Sequence, residues 1–467
     1  MGRNPNRKRK DCYPYIEKNC EIGPMSPYER CDKAFRVRFQ AADYQKDLPL
    51  PVQFCNGDEK LFDNKIASFS KALPHNSLGE VDIYAYKKWI EALKKGKPDA
   101  FECLTLGGVV KLANPQAAYA YELEGPDSHH LSIAVPPAFS SAWEASEMTE
   151  LYWQALTRDV PFAEYNSNSL TLAAASELSS LSDFRGPKVN GSVTTETLFR
   201  GGIPGDLVGP YISQFLWQDV PYGATIMIQK YRTTVSDKDY MTAYQEWLDI
   251  QNGLSPKEII FDTVTRYIRS GRDLAEFVHQ DFSYQACLSA CLILLSFGKG
   301  ALSSNNPYLH SKTQNGFVTF GAPHILDLVG KTAKAALEAA WFQKFLVHRR
   351  IRPEEFGGRV HNQLTGDTHY PIHPELLNSQ VISEVFSKFG TYLLPLAYPE
   401  GCPTHPAYPA GHATLMGAGV HWRSDTIEGL KLGEAVAIGI LKDHKATYNE
   451  KFNGFSFTKF NGEVITI

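Results

Sequence analysis

The stretch "APHILDLVGKTAKAALEAAWFQKFLVHRRIRP", Ala322 to Pro353, constrains the fold most strongly. It is the longest segment with sustained helical periodicity, and it predicts a helix running to the Arg352–Pro353 step, where proline stops it. Other stretches follow the same pattern. "EVDIYAYKKWIEALKKG" places Ile83, Ala85, Trp89, Ile90 and Leu93 on one helical face and stops at Gly96. "SAWEASEMTELYWQALTRDVPF" predicts a helix capped by Ser140 or Ser141 and stopped by Pro161. A helix is expected to start near Pro210, another to end at Gly253, and a pair to fill "RSGRDLAEFVHQDFSYQACLSACLILLSFG". "DTIEGLKLGEAVAIGILKDHKATYNEKF" gives the last helix. Runs of period two are few, so the expected class is mainly α, built from helix bundles.

Composition narrows the function classes. A net charge of −4 over 467 residues leaves no overall basic surface for nucleic acid. No apolar run approaches a membrane span, and "MGRNPNRKRKD" lacks the apolar stretch of a signal peptide. The compartment stays open. None of the eight cysteines forms a C-x2-C pair. Cys12, Cys20, Cys31 and Cys55 cluster in a Pro- and Asn-punctuated arm, where they are either free thiols or one or two disulfides.

Three motifs carry chemistry. In "KFLVHRRIRP", Lys344, His348 and Arg352 follow one another at i, i+4 and i+8, a slanting basic stripe if the helix continues. Such a stripe suits an oxyanion; read alone, it is equally a basic last turn answering the helix dipole. In "HPAYPAGHA", Gly411 allows close backbone approach at a helix start and His412 can donate to a bound anion. The plain alternative is a Pro-Gly helix entry with a packed histidine. In "VHWRSD", His421 and Asp425 stand four apart, so the carboxylate can fix the imidazole tautomer.

Taken in order, Lys-x7-Arg-Pro, P-x-G-H and G-V-H-W-R-S-D resemble the vanadium-dependent haloperoxidases, which share a fold and anion pocket with type 2 phosphatidic acid phosphatases. "SGRDLAEFVHQD" and "FGAPHILDLV" are similar to the bromoperoxidase branch of red algae and cyanobacteria. The resemblance implies two four-helix bundles. It divides the chain into an extended N-terminal arm (1–70), a first helical bundle with loops (71–310) and a second bundle carrying the pocket (311–467). It implies a vanadate cofactor. Lys344, Arg352, Gly411 and His412 would hydrogen-bond the oxyanion, and His421 would be the metal ligand. His412 would be the catalytic acid–base group, and His405 a second catalytic histidine that tunes the site or passes protons. Asp425 would support His421, and Trp341 is either a halide-site residue or an aromatic anchor. The implied reaction is oxidation of halide, bromide foremost, by hydrogen peroxide to a hypohalous-acid equivalent that meets small organic acceptors. Homo-oligomers are expected, and some relatives hold calcium.

The sequence departs from the family pattern twice. Ala410 replaces a vanadate-binding serine. His412 and His421 are nine residues apart where relatives have several tens, and Leu415 stands where they have a second arginine. On one continuous helix the two imidazoles would rise about 13.5 Å apart and point away from each other. A break at Gly417 or Gly419 would fold the chain back. The second bundle is therefore expected to be incomplete. A phosphatase-like oxyanion enzyme and a catalytically impaired variant stand as alternatives.

Overall fold

A computed structural model describes residues 23–411 and 418–467. The chain divides into two compact units, residues 1–48 and 49–467.

In the first unit the described residues form helix α1, Pro27–Lys46, where the sequence reading had an extended arm. The helix starts on a capping box. Ser26 Oγ accepts from the Glu29 amide at 3.3 Å, and Glu29 Oε2 accepts from the Ser26 amide at 2.8 Å. With Pro27 in the first turn, S-P-Y-E was a legible helix start that had been overlooked. Cys31 and Cys55 are free thiols, and Cys12 and Cys20 lie outside the described residues.

The second unit is mainly helical. Its longer helices are α2 (Ile83–Lys95), α3 (Ala142–Leu156), α4 (Ser169–Ser180), α5 (Tyr244–Gln251), α6 (Gly271–Gln280), α7 (Gln285–Ser296), α8 (Ala322–Phe342), α9 (Pro353–Thr365), α10 (Gln380–Phe389) and α11 (Arg423–Lys445). Extended pairing in regular strands is confined, among the described residues, to two three-residue hairpins. No helix among them is long and apolar enough to cross a membrane.

Helix α3 is the central element. Thirteen of its fifteen residues are buried, which leaves it no solvent face. It nevertheless carries Glu144, Glu147 and Glu150, three carboxylates that must be answered from other elements. A core running from Ile66 to Trp422 in sequence surrounds it. Helices α8 and α11 pack through Ala335, Ala339, Ala340, Leu432, Val436 and Ile440, mostly small or branched side chains that bring the axes close. Helix α5 sets Trp247 into a slot made by absent side chains. A Cβ added at Gly79 or Gly358 would overlap its indole ring.

The structure corrects the long-helix reading. Helix α8 ends at Phe342 and passes into one widened π-type turn, Gln343–His348. Arg349 then takes φ +40°, a left-handed conformation that stops the helix. Residues 349–351 run beside residues 67–69, with Phe69 N donating to Arg349 O at 2.9 Å. Pro353 does not end a helix but begins α9, and Arg352 is its N-cap residue. Near Pro210 there is only a short 3-10 turn, Gln214–Leu216, capped by Ser213.

Candidate active site

The turn after α8 changes what the basic stripe does. Lys344 leaves the π-type turn pointing inward, 0% exposed, and its Nζ donates to Pro406 O at 2.8 Å and Ala407 O at 2.9 Å. Arg352 comes back toward it from the start of α9, also 0% exposed. Its Nε donates to His405 O at 2.8 Å, Nη1 to Val420 O at 2.6 Å, and Nη2 to His405 Nδ1 at 2.8 Å. Its own amide is held by Glu355 Oε2, whose other oxygen takes the Ser70 amide and hydroxyl. His348, the middle residue of the stripe, turns elsewhere and packs edge-on against Tyr408.

His421 is 1% exposed and sits just before α11. Its Nδ1 lies 2.8 Å from Asp425 Oδ2, which also accepts from the Trp422 amide at 3.0 Å. The carboxylate makes Nδ1 the protonated nitrogen, so Nε2 carries the lone pair and accepts from Arg352 Nη1 at 3.2 Å. Asp425 Oδ1 accepts from Arg350 Nη1 at 2.8 Å. Burial pushes the Asp425 carboxyl upward, against the pull of Arg350, Lys344, the Trp422 amide and Arg352.

Arg350 is the main site residue that the motif spacing does not single out. It donates to Asp425, to Ser424 Oγ, and to Glu144 and Glu147 of α3. Arg423 answers Glu150 in the same way. The signal was the E-x-x-E-x-x-E spacing, which puts three carboxylates on one side of a helix that is buried all round. A second hub anchors the loop leading to His405. Glu354 accepts from Lys71 Nζ at 2.9 Å, from Gln251 and from the Cys402 amide. Lys71 also donates to Glu400 O and Cys402 O, both at 2.7 Å.

Carboxylates act on Lys344 and Arg352 only at longer range, Asp425 on the first and Asp425, Glu355 and Glu354 on the second. Neither Lys344 nor Arg352 has a carboxylate at ion-pair distance among the described residues; their direct partners are carbonyls and imidazoles. Burial, reinforced by Arg352, holds the Lys344 ammonium well below its ordinary value. Burial also lowers Arg352. His405 is held well below the usual imidazole range by burial and then by Arg352, Lys344 and His421.

Four of the sequence-predicted residues, His405, Gly411, His421 and Trp341, line one cavity of about 860 Å³, while Lys344, Arg352 and Asp425 are buried outside its wall. The Trp341 ring lies 4.7 Å from that of His405, and its Nε1 donates to Ala113 O. The Ala410 amide donates to Asp425 O at 2.8 Å, which ties the Gly411 loop to the start of α11. Gly419 takes φ +83°, so the chain does break before His421. His412, Leu415 and Gly417 lie outside the described residues.

His348 provides a pH test of this packing. It is 8% exposed, neither ring nitrogen has a hydrogen-bond partner among the described residues, and burial with Arg349 and Arg350 pulls it to about 3. A histidine depressed in the native state takes up its proton on unfolding below pH ~6.5. Stability should therefore fall as pH drops from about 6.5 toward 3, with this residue contributing up to about 1.4 kcal/mol per pH unit. The slope of unfolding free energy against pH, from urea titrations at pH 7 to 4, should be shallower in His348→Leu; an unchanged slope contradicts the account.

No protein-family model matches the chain. Over 530 aligned positions it is 32% identical to a vanadium-dependent bromoperoxidase of Ascophyllum nodosum, covering 95% of this chain and 93% of that protein. Over 590 positions it is 29% identical to a vanadium-dependent bromoperoxidase of Corallina pilulifera, covering 94% and 98%. A chain of 467 residues aligned over so many positions leaves about 90 of them in the first alignment and about 150 in the second with no residue here. Among solved structures, the homohexameric second vanadate-dependent bromoperoxidase of Ascophyllum nodosum matches with a TM-score of 0.91 at 24% identity, covering 99% of this chain and 94% of that one.

Proposed function

The chain belongs to the vanadium-dependent bromoperoxidases, and from that premise we propose that Lys344, Arg352, Gly411 and His421 hold vanadate and that the site oxidises halide, bromide foremost, with hydrogen peroxide. The observation that carries the reading is the pair of fully buried basic side chains that have no carboxylate at ion-pair distance among the described residues. A buried charge left uncompensated costs several kcal/mol, and an oxyanion between them would remove that cost.

The residues fit vanadate in kind. Lys344 offers a point charge and Arg352 a planar fork. The Gly411 amide adds a donor from the cavity wall, and His421 Nε2 offers the lone pair a metal requires. Vanadate bound there supplies a Lewis acid that polarises peroxide toward halide attack. Halide oxidation consumes a proton. His405 is held neutral by burial and then by the nearby positive charge, and an anion in the pocket would offset the second of these and raise its basicity, so it would carry protons when the site is loaded. His412 is assigned the acid–base role from its motif alone. Trp341, tilted against the His405 ring, would shape the halide approach.

A homo-oligomer is part of the same proposal, since the matched solved structure is a homohexamer. Among the described residues no group of three or more His, Cys, Asp or Glu is placed to hold a metal ion, so calcium is given no ligand set.

The direct test adds orthovanadate to metal-free protein with peroxide and bromide and follows bromination of a phenolic dye. Turnover saturable in vanadate and inhibited by phosphate is expected. Hydrolysis of phosphate esters without bromination would move the chain to the phosphatases. Ala410→Ser gives an independent check. Residue 410 adjoins Gly411 at the pocket, and a restored hydroxyl donor to an anion is worth about 1.5–3 kcal/mol, or roughly 10- to 150-fold tighter vanadate binding by equilibrium titration. No gain would mean the side chain at 410 does not reach the anion.

A further inference from the structure

Helix α7 is the reverse of α3. Its sequence, QACLSACLILLS, has no charged residue, and a helix that is apolar all round belongs in a core. Yet only Ser289, Cys291 and Ile293 of its twelve residues are buried. Leu294 is 50% exposed, and Phe297, just beyond the helix, is 55% exposed. Phe282 and Tyr284 precede the helix as an exposed edge-to-face pair, with ring centres 5.0 Å apart. From Phe282 to Gly298 the chain runs 17 residues without a charge.

A second uncharged element lies against α7. It is the hairpin of β1 (Val220–Tyr222) and β2 (Thr225–Met227), whose strand β1 packs beside the helix. The segment from Val220 to Gln229 is also free of charge. All three residues of β2 are exposed, and successive side chains point to opposite faces, so both faces of the strand are open. Tyr222, Ile226, Met227 and Ile228 are exposed there. The hairpin is held at its base, where the buried Gln229 side chain donates to Phe215 O and Gln218 O. A two-stranded hairpin with apolar residues on both faces needs a further surface to pack on.

The size of this face says what kind of surface that is. At roughly 200 Å² for a large side chain, its eight exposed apolar residues leave on the order of 800 Å² open. A monomer seldom carries an apolar patch of that size. About 800 Å² is what each partner buries in a stable protein–protein interface. The composition agrees, since interface cores are depleted of charge and enriched in aromatic residues and methionine.

We infer that α7 and the 220–228 hairpin form the face on which a second copy of this chain docks, both copies using the same face. The inference deepens the homo-oligomer reading given above and rests on it. An uncharged apolar face is its own complement, because it carries no charge that would repel its copy across a two-fold contact. Nucleic acid or an acidic peptide would instead need Lys and Arg, which this face lacks.

Sedimentation over a concentration series should show the wild type as an oligomer. Ile228→Lys and Leu294→Lys, at residues 63% and 50% exposed, should each weaken self-association at least about 30-fold, because each lysine would be buried in the apolar contact. Leu123→Lys, at a residue 99% exposed outside this face, should leave it unchanged. Circular dichroism should be the same in all variants. In the wild type, amide exchange across 282–298 should slow as concentration rises, and this measurement decides alone if a variant fails to fold. An oligomeric wild type that keeps its mass in both face variants, or that shows no such slowing, overturns the face and leaves the homo-oligomer reading intact. A monomeric wild type overturns both. If that monomer binds phosphatidylcholine vesicles through 282–298, the occupant is lipid and not a second copy.

Discussion

His421→Ala is expected to abolish vanadate-dependent bromination, with vanadate affinity at least about 100-fold weaker, in a protein that still folds. The functional loss follows from chemistry. Of the groups proposed to hold vanadate, His421 is the one offering a nitrogen lone pair, and Asp425 prepares that lone pair by taking the proton on Nδ1. Lys344, Arg352 and the Gly411 amide are donors; they can retain an oxyanion but cannot replace a metal–nitrogen bond. The fold should survive because the described partners of His421, Asp425 and Arg352, stay compensated. Asp425 keeps Arg350 and the Trp422 amide, and Arg352 keeps two carbonyls and His405. Equilibrium titration with vanadate, bromination rate and thermal midpoint separate the effects. Full activity in the alanine variant would remove His421 from the site; a large fall in thermal midpoint would make its role structural.

What the sequence disclosed depends on how local each signal was. The Gly96 stop, the Ser141 cap and the 421/425 pairing involve residues within four positions of one another, and all are present. The basic stripe was read with the right residues and the wrong geometry. Lys344 and Arg352 were placed on one helix face, whereas Arg349 at φ +40° ends the helix between them and turns Arg352 back toward Lys344. Helical spacing cannot foresee this, because a non-glycine residue in the left-handed region persists only when the surrounding structure imposes it. Here residues 67–69 do so by pairing with the link, and they lie some 280 positions away in sequence. Arg350, Lys71 and Glu354 escaped notice for the same reason. Their partners are 48 to 331 residues distant, and an isolated charge gives no periodic signal. The question posed by the short segment between His412 and His421 is partly answered. Gly411 and His421 line one cavity, and Gly419 takes a left-handed conformation two residues before His421.

Asp425→Asn should separate charge from orientation. The substitution is nearly isosteric, and Arg350 would retain Glu144 and Glu147, so the buried arginine is not stranded. The change falls on His421. A carboxylate only accepts, and therefore forces the proton onto Nδ1; an amide both accepts and donates, and lets the ring take the opposite tautomer. In that tautomer Nε2 carries the proton and faces Arg352 Nη1, another donor, so the lone pair offered to vanadium is lost. Removing such a supporting partner typically costs 10- to 100-fold in metal affinity. Vanadate should therefore bind roughly 10- to 100-fold more weakly in Asp425→Asn, with saturating vanadate restoring part of the bromination rate. Asp425→Ala should be worse on both counts, because it also leaves the Trp422 amide and the start of α11 without their acceptor. If Asp425→Asn binds vanadate like the wild type while losing thermal stability, Asp425 serves the buried charge network alone, and the tautomer of His421 is set by something other than this carboxylate.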